Sequence, residues 1–319
     1  MKLLDAGDSL KGSRLFQMNL LFLVIALLST LFSRLLPDMN PVHRLVLSEY
    51  LFLLLPVWGF LYLRKENPFI VLRLKPISWE LLVYSGLIVS LLYPLFALSN
   101  LLLGSRSLDW IYGIGGGVDG SPGWAQILLF VFALCITPAI CEEVVFRGLL
   151  MDGYKDLPRF LSLSFISIFF GMMHFNADNT IGPILLSIVL LRMVELSGSI
   201  FSAIIGHFSY NLLGLWIALF TGGIDGERWK HIPESDLRMG FLIGIVFVGI
   251  STFCAIRLWG IYRSKCRTMR RTATSNDQFE QISIEDYFGG ELENKAISIV
   301  QILEFSPIIV FFLFYGTLL

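Results

Sequence analysis

Residues 124–151 read WAQILLFVFALCITPAICEEVVFRGLLM. The stretch is apolar and long enough to cross a bilayer as one helix, yet it holds two adjacent glutamates and an arginine. An ionised group near the middle of an inserted helix costs roughly 2.5 to 3.5 kcal/mol. Glu142, Glu143 and Arg147 therefore need a structural or a chemical reason to be there.

Helical geometry separates the two glutamates. Glu143 and Arg147 lie at positions i and i+4 of one face and can form an ion pair. At about 100° per residue, Glu142 points about 140° away from Arg147 and is left free for chemistry. Pro138 lacks an amide donor, so we expect a kink in the helix near it. A charge pair that only joins two helices explains this stretch equally well, so the other polar residues must decide.

The composition is that of a polytopic membrane protein. Of 319 residues, 55% are hydrophobic and 15% are charged, and the mean hydropathy is +0.72. An ordinary soluble domain has about 25% charged residues. The net charge of −1 and the lack of a basic stripe argue against nucleic acid as a partner. We expect any chemistry to take place in or beside the bilayer.

Apolar segments predict an all-α bundle of eight or nine transmembrane helices. They lie at about 15–36, 46–63, 80–103, 124–151, 159–176, 181–197, 199–220, 238–262 and 297–319. If the nine spans alternate, most lysines and arginines of the loops fall on one side of the membrane. The positive-inside rule then predicts a cytosolic N-terminus and a C-terminus on the opposite side.

Two of the four histidines fall inside predicted spans. His174 follows Phe170 by one turn in FFGMMHF, and His207 precedes Asn211 by one turn in GHFSYN. A lone histidine in an apolar helix is usually a core residue with a satisfied hydrogen bond. Two histidines, an asparagine and two glutamates on separate spans, within about 70 residues of each other, favour a functional site instead.

The glycines next to these histidines predict close helix packing. Gly171 lies three residues before one histidine, and Gly206 directly precedes the other. Small residues let the backbones of neighbouring membrane helices approach each other. We therefore expect tight helix contacts at both positions.

This set of side chains suits the hydrolysis of an amide bond. A glutamate that is partly desolvated by the bilayer is a stronger base, so Glu142 could deprotonate a water molecule for attack on a carbonyl. His174 could hold or polarise that water. His207 and Asn211 could donate hydrogen bonds to the oxyanion that forms.

Three motifs on separate apolar segments resemble those of a known family. The matching residues are Glu142, Glu143 and Arg147 of EExxxR, Phe170 and His174 of FxxxH, and His207 and Asn211 of HxxxN. Over about residues 124–215 the chain resembles the type II CAAX prenyl endopeptidases, also called the CPBP or ABI family of intramembrane proteases. EExxxR alone is a weak signal, whereas the three motifs in this order are specific.

The resemblance implies an all-helical membrane fold whose active site opens towards the cytosol. The implied catalytic residues are Glu142, His174, His207 and Asn211, with support from Glu143, Arg147 and Phe170. Eukaryotic members remove the last three residues of prenylated CAAX proteins, while many bacterial members have other or unknown roles, including self-immunity to bacteriocins. We expect the lipid bilayer and a peptide or lipidated protein as partners, in a bacterial plasma membrane or in the endoplasmic reticulum of a eukaryote.

The predicted organisation places this catalytic core in the middle of the chain. Residues 1–123 hold the first three helices and an outer glycine-rich loop, 124–220 form the core with helices four to seven, and 221–262 form helix eight. A polar linker at 263–296 and a C-terminal transmembrane helix at 297–319 follow.

Three other interpretations stay open at this point. Glutamate and imidazole also bind zinc, so Glu142, Glu143, His174 and His207 could hold a metal for a metal-dependent hydrolysis, although no HExxH is present. A non-catalytic membrane protein could keep the polar cluster for packing and bind or sequester a partner. A proton-coupled transporter could use the same side chains as a relay.

A count of residues along the spans raises one conflict. At about 1.5 Å per residue, Glu142 and His207 lie roughly 12 to 14 Å from the cytosolic ends of their spans, but His174 lies roughly 22 Å from its own. We expect the three residues to meet only if the fifth span begins later than Arg159. Residues 152–161 would then lie at the membrane interface.

Overall fold

The structure is a computed structural model that describes residues 13–36, 38–102, 123–175, 179–221, 234–276, 304–308 and 310. Within these residues every regular element is helical and no strand forms, which confirms the predicted all-α class. The main helices are α1 Arg14–Leu35, α2 Pro41–Arg64, α3 Trp79–Leu102, α4 Trp124–Gly153, α5 Arg159–Met172, α6 Ile181–Ser197, α7 Phe201–Thr221 and α8 Glu234–Asn276. A single helical turn, Pro68–Val71, lies between α2 and α3.

The helices differ in whether they are long enough to span a membrane. Among the described helices, α1, α2, α3, α4, α7 and α8 are long and apolar enough to cross a bilayer. α5 has 14 residues and α6 has 17, whereas a full span needs about 20. The ninth predicted span, 297–319, lies almost entirely outside the described residues, as does most of the glycine-rich loop. The count of eight or nine spans and the cytosolic N-terminus stay predictions.

Apolar side chains cover much of the outside of the bundle. α8 alone exposes Phe241, Leu242, Ile243, Val246, Phe247, Ile250, Phe253 and Ile256. A continuous apolar surface of this kind is unfavourable in water and is typical of contact with lipid. The surface therefore agrees with the composition, and both indicate an integral membrane protein.

Four phenylalanines join α1, α4 and α5 at the centre of the bundle. The ring of Phe22 stacks on Phe169 with 5.0 Å between centroids and meets the edge of Phe146 at 6.0 Å. Phe146 in turn meets Phe170 edge to face at 5.0 Å. All four side chains are at most 1% exposed. We call these four residues the aromatic cluster, and its buried area holds the three helices together.

π-helical stretches interrupt the regular winding of α2 and α4. They span Glu49–Leu54, Val131–Ile136 and Val144–Leu150. The second stretch ends just before Pro138, and the amide of Thr137 there bonds to the carbonyl of Phe132 five residues back. α4 stays helical through Pro138, and the kink expected there stays a prediction. π-Helical stretches and prolines are both common causes of helix kinks.

α8 is longer than the predicted eighth span. It continues to Asn276 and so includes the first part of the predicted linker. Tyr262 donates a hydrogen bond to the carbonyl of Met193 at 3.2 Å, and Arg270 donates one to that of Leu196 at 2.8 Å. Carbonyls in the last turn of a helix lack partners within that helix. The basic part of α8 is thus held on the end of α6. The remainder of the linker lies outside the described residues.

Close helix approach occurs at both predicted glycines. A Cβ atom on Gly171 would lie 2.6 Å from Cγ1 of Ile184 and 2.8 Å from the carbonyl oxygen of Thr180. A Cβ atom on Gly206 would lie 2.8 Å from Cδ2 of Leu190. The prediction of tight packing at these positions is confirmed.

We predict that Gly171→Ala lowers the melting temperature of the detergent-solubilised protein, because the backbone of Thr180 must move to admit the new methyl group. Overpacking of this kind costs about 1–3 kcal/mol. The control is Gly59→Ala in α2, where a Cβ atom meets nothing within 4 Å. Alanine favours a helix over glycine by about 0.5–1 kcal/mol, so this control should melt at the same temperature or higher. Equal melting of the two variants would contradict the prediction.

Candidate active site

A cavity of about 390 Å³, lined by both polar and apolar side chains, lies between α1, α2, α4 and the end of α5. Its lining residues are Ser29, Thr30, Ser33, Arg34, Leu45, Ser48, Glu49, Leu53, Glu142, Phe146, Met173, His174 and Phe175. Carboxylate, imidazole and hydroxyl groups thus face a common space in a bundle whose surface is largely apolar. Such a cavity, with a few convergent polar groups, is the default candidate for a reaction site.

Glu142 and His174 both line this cavity, although they come from different helices. Glu142 lies in the regular stretch Thr137–Glu143 of α4, between two π-helical stretches. π-Helical stretches are frequent at functional sites. The structure therefore brings together the proposed base and the proposed water-binding histidine.

His174 reaches the cavity because α5 is short. α5 begins at Arg159 and ends at Met172, and both Glu142 and His174 line the cavity although α5 does not begin later than Arg159. Residues 173–175 leave the helix and line the cavity, and Phe175 has a left-handed φ of 46°. Non-helical backbone at membrane depth is tolerated where it is buried in protein or lines a polar cavity. The count of residues along the spans assumed that each helix runs the full thickness of the membrane, and α5 is shorter than that.

The orientation of the His174 ring is set by its own helix. Nδ1 lies 3.0 Å from the carbonyl oxygen of Phe170. Because a carbonyl only accepts, Nδ1 carries the proton and donates it to this bond. In the neutral ring, Nε2 is then left as a hydrogen-bond acceptor.

Glu143 accepts hydrogen bonds from two side chains in the interior. Its Oε1 atom accepts a hydrogen bond from Nη1 of Arg147 at 2.9 Å and another from Nδ1 of His207 at 2.8 Å. Glu143 and Arg147 are fully buried, and His207 is 3% exposed. Nη2 of Arg147 also donates to the carbonyl of Ser187 in α6 at 3.3 Å. The predicted pair of Glu143 and Arg147 is confirmed, and the bond to His207 is an addition to it.

Phe170 is the side chain that the other site residues share. Its ring centroid lies 5.5 Å from that of His174 and 5.7 Å from that of His207. Cζ of Arg147 lies 4.4 Å from the same ring, which is within the range of a cation–π interaction. Phe170 therefore positions both histidines and covers the buried ion pair.

His207 and Asn211 are less directly connected to the cavity. Neither is among the described residues that line it. His207 joins the site through Glu143 and Phe170, whereas Asn211 lies one turn further along α7 and is half-buried. The structure thus brings all the predicted site residues together except Asn211.

Glu49 is a site residue that the motifs did not reveal. It is 6% exposed, lines the same cavity as Glu142, and its Oε2 atom has no hydrogen-bond partner within the described residues. A signal for it does exist in the sequence, because Glu49 is an isolated acidic residue in the second apolar segment. An ionisable residue inside a membrane span is by default a candidate for function.

Arg73 supports the site from the loop before α3. Its Nη1 atom donates to the carbonyls of Arg147 at 2.9 Å and Gly148 at 3.1 Å. Both carbonyls belong to the π-helical stretch Val144–Leu150, where the regular α-helical bonding is lost. No pattern in the sequence pointed to this arginine, which lies outside every predicted span.

The predicted zinc ligands do not form a ligand set. Within the described ranges, no group of three or more His, Cys, Asp or Glu side chains is arranged to hold a metal ion. Oε1 of Glu143 is already occupied by Arg147 and His207. We therefore derive no step through a metal, and metal-dependent hydrolysis stays a prediction.

Comparison with known proteins gave one positive result. Searches against curated proteins and against solved structures found no match. A family model described as Type II CAAX prenyl endopeptidase Rce1-like matches residues 124–213. This segment contains all three motifs as well as α5 and α6. Over residues 124–213 the match confirms the resemblance predicted from the motifs, that to the type II CAAX prenyl endopeptidase family.

Proposed function

We propose that the protein is an intramembrane endopeptidase that hydrolyses a peptide bond with a water molecule activated by Glu142. The observation that carries the proposal is that Glu142 and His174 line one cavity inside a largely apolar bundle. The family match over residues 124–213 supports a protease. The finer expectation of cleavage near the C-terminus of a prenylated protein comes from that match alone.

In the proposed reaction Glu142 removes a proton from water while the water oxygen attacks the carbonyl carbon of the substrate. Nε2 of His174 accepts a hydrogen bond from the same water and orients it, because Nδ1 is already bonded to Phe170. The bond between carbon and nitrogen then breaks, and the leaving nitrogen needs a proton. General acid and base catalysis of this kind contributes typically about 10²- to 10⁴-fold to a rate.

His207 is the proposed donor to the oxyanion. Nδ1 is bonded to Glu143, so only Nε2 is left, and it can donate only when the ring is an imidazolium. The Glu143 carboxylate holds the ring in place through Nδ1. Glu143 is therefore a positioning residue, and Asn211 stays a candidate for a second donor.

Glu49 is the proposed source of the proton for the leaving nitrogen. It lines the cavity with Glu142, and in the proposed starting state Glu49 carries a proton while Glu142 is ionised. Glu49 gives its proton to the nitrogen, and Glu142 receives one from water. The proton that Glu142 took from water then passes to Glu49 through a water molecule, which restores the starting state.

The first test compares the protein termini in cells that express the wild type or Glu142→Gln at matched levels. We expect new termini with the wild type and none with the variant, because glutamine cannot accept the proton from water. The control is Glu80→Gln, the same change at an exposed carboxylate that pairs with Lys265 on the surface. The control should keep the wild-type pattern. Identical termini with the wild type and Glu142→Gln would favour a binding or immunity protein.

A second prediction concerns Glu49→Gln. Cleavage of the substrate identified above should fall about 10²-fold or more, since general acid catalysis is lost. Glu49→Asp keeps the acid on a shorter side chain and should recover part of the rate. Unchanged melting temperatures would show that both variants fold. Wild-type cleavage by Glu49→Gln would contradict the role of this residue.

A third prediction distinguishes the structural role of the ion pair between Glu143 and Arg147 from the catalytic role proposed for Glu142. Arg147→Met leaves the buried Glu143 charge without its arginine, which costs about 3–5 kcal/mol. We expect a large drop in the melting temperature or a loss of folded protein. Glu142→Gln should melt like the wild type, and so should Arg64→Met, a change at a half-exposed arginine. A stable and active Arg147→Met variant would show that the pair has little structural role.

A further inference from the structure

α8 is too long to lie wholly within a bilayer. Its 43 residues, Glu234–Asn276, measure roughly 64 Å at about 1.5 Å per residue, whereas a bilayer with its headgroups is about 40–45 Å thick. The exposed leucine, isoleucine, valine and phenylalanine side chains of α8 run from Phe241 to Ile261. At the same rise this run is roughly 30 Å long, the thickness of the hydrocarbon core. The part of α8 after Ile261 therefore reaches the headgroups and extends beyond them.

Contacts with α3 locate the membrane surface on α8 independently. Lys265 pairs with Glu80 in the first turn of α3, and its Nζ atom lies 5.8 Å from the ring centroid of Tyr84. α3 begins at Trp79, whose side chain is 72% exposed. Tryptophan is enriched where membrane helices meet the headgroups. Trp79 and the end of the apolar run at Ile261 thus agree, and α8 crosses the membrane surface near Lys265.

Three arginines form a row on the exposed side of α8 at this level. Arg263, Arg267 and Arg271 follow one another at intervals of four residues, and all three are exposed. That spacing puts them on one face of the helix. Arg271 comes about five full turns after Phe253, which is 60% exposed. The arginines therefore continue the side of α8 that faces lipid further along the helix. We call these three residues the basic stripe.

Other cationic residues of α8 hold the helix in place, whereas the basic stripe faces outward. Lys265 pairs with Glu80, and Arg270 donates to the carbonyls of Glu195 and Leu196. Within the part of the chain that the structure describes, no side chain of the basic stripe forms a hydrogen bond or an ion pair. Guanidinium groups bind phosphate through paired N–H donors. α8 thus presents three such groups, about 6 Å apart along its axis.

We propose that the basic stripe binds the headgroups of anionic phospholipids in the leaflet that α8 crosses near Lys265. The predicted topology puts this end of α8 in the cytosol, and the cytosolic leaflet carries anionic lipids. Each lysine or arginine near such a surface strengthens the contact about fivefold. The bound phosphates fix the depth of α8 in the membrane, and with it the end of α6 that Arg270 holds.

Acidic side chains later in the same chain are the competing partner of the basic stripe. They are Asp277, Glu280, Glu285, Asp286, Glu291 and Glu293, and they lie outside the described residues. Contact with these carboxylates would cover the arginines and exclude lipid phosphate. Replacing all six by the corresponding amides would then raise the binding of anionic lipid strongly. If lipid holds the stripe, the same change should alter that binding by less than about twofold.

The test counts bound lipids by native mass spectrometry. The purified protein in a neutral detergent receives equal amounts of phosphatidylglycerol and phosphatidylcholine with matched acyl chains. The wild type is compared with a stripe variant that carries Arg263→Gln, Arg267→Gln and Arg271→Gln. Melting temperatures verify that each variant folds.

Two further variants separate the stripe from positive charge in general. The first carries Arg64→Gln, Lys65→Gln and Lys155→Gln, and so removes three positive charges from the ends of α2 and α4 rather than from α8. The second replaces the three arginines of the stripe by lysine, which keeps the charge and loses the paired donors.

We expect the wild type to bind phosphatidylglycerol at least about tenfold more tightly than phosphatidylcholine, and this preference should weaken as salt is added. The stripe variant should bind the two lipids within about twofold of each other. The variant at α2 and α4 should keep the wild-type preference, and the lysine variant should keep part of it.

Two results would overturn the proposal. One is a folded stripe variant that prefers phosphatidylglycerol as the wild type does. The other is a wild type without such a preference, and a preference that emerges only after the six acidic residues are neutralised would identify those residues as the partner. Lipid binding is measured without any substrate, so the outcome does not depend on the proposed peptidase function.

Discussion

The carboxylate of Glu143 accepts hydrogen bonds from Arg147 and His207 in an interior from which water is excluded. A buried carboxylate is tolerated only when it is paired and hydrogen-bonded, so these two partners must stay in place. The bonds join α4 to α7, and the further bond from Arg147 to Ser187 joins α4 to α6. The buried pair of Glu143 and Arg147 thus links three helices by hydrogen bonds, and Glu143 also fixes the position of His207.

Departures from regular helices occur where the site needs them. α5 stops at Met172, which lets His174 turn into the cavity. The π-helical stretches of α4 flank the segment that holds both glutamates, and the third such stretch begins at Glu49. Carbonyls in one of these stretches bond to Arg73, which lies outside the long helices. Irregular backbone inside a membrane protein is stable when its carbonyl and amide groups find hydrogen-bond partners of this kind, because an unpaired polar group is costly there.

The aromatic cluster has two consequences that follow from the same packing. It joins α1, α4 and α5 through buried ring contacts, and Phe146 also forms part of the cavity wall. Phe170 extends these contacts to His174 and His207. The side chains that stabilise the bundle therefore also shape the wall of the cavity that Glu142 lines.

Hydropathy and residue spacing alone predicted the membrane class, helices at the first eight apolar segments and the pair of Glu143 and Arg147. These properties are local: they follow from hydropathy and from the spacing of residues along one helix. Motif resemblance also identified Glu142 and His174, which the structure then brings into one cavity. The tertiary structure adds that His207 binds Glu143 across 64 residues and that Glu49 lines the same cavity as Glu142 and His174. These are contacts between helices, and periodicity within a helix does not specify which neighbour its faces will meet.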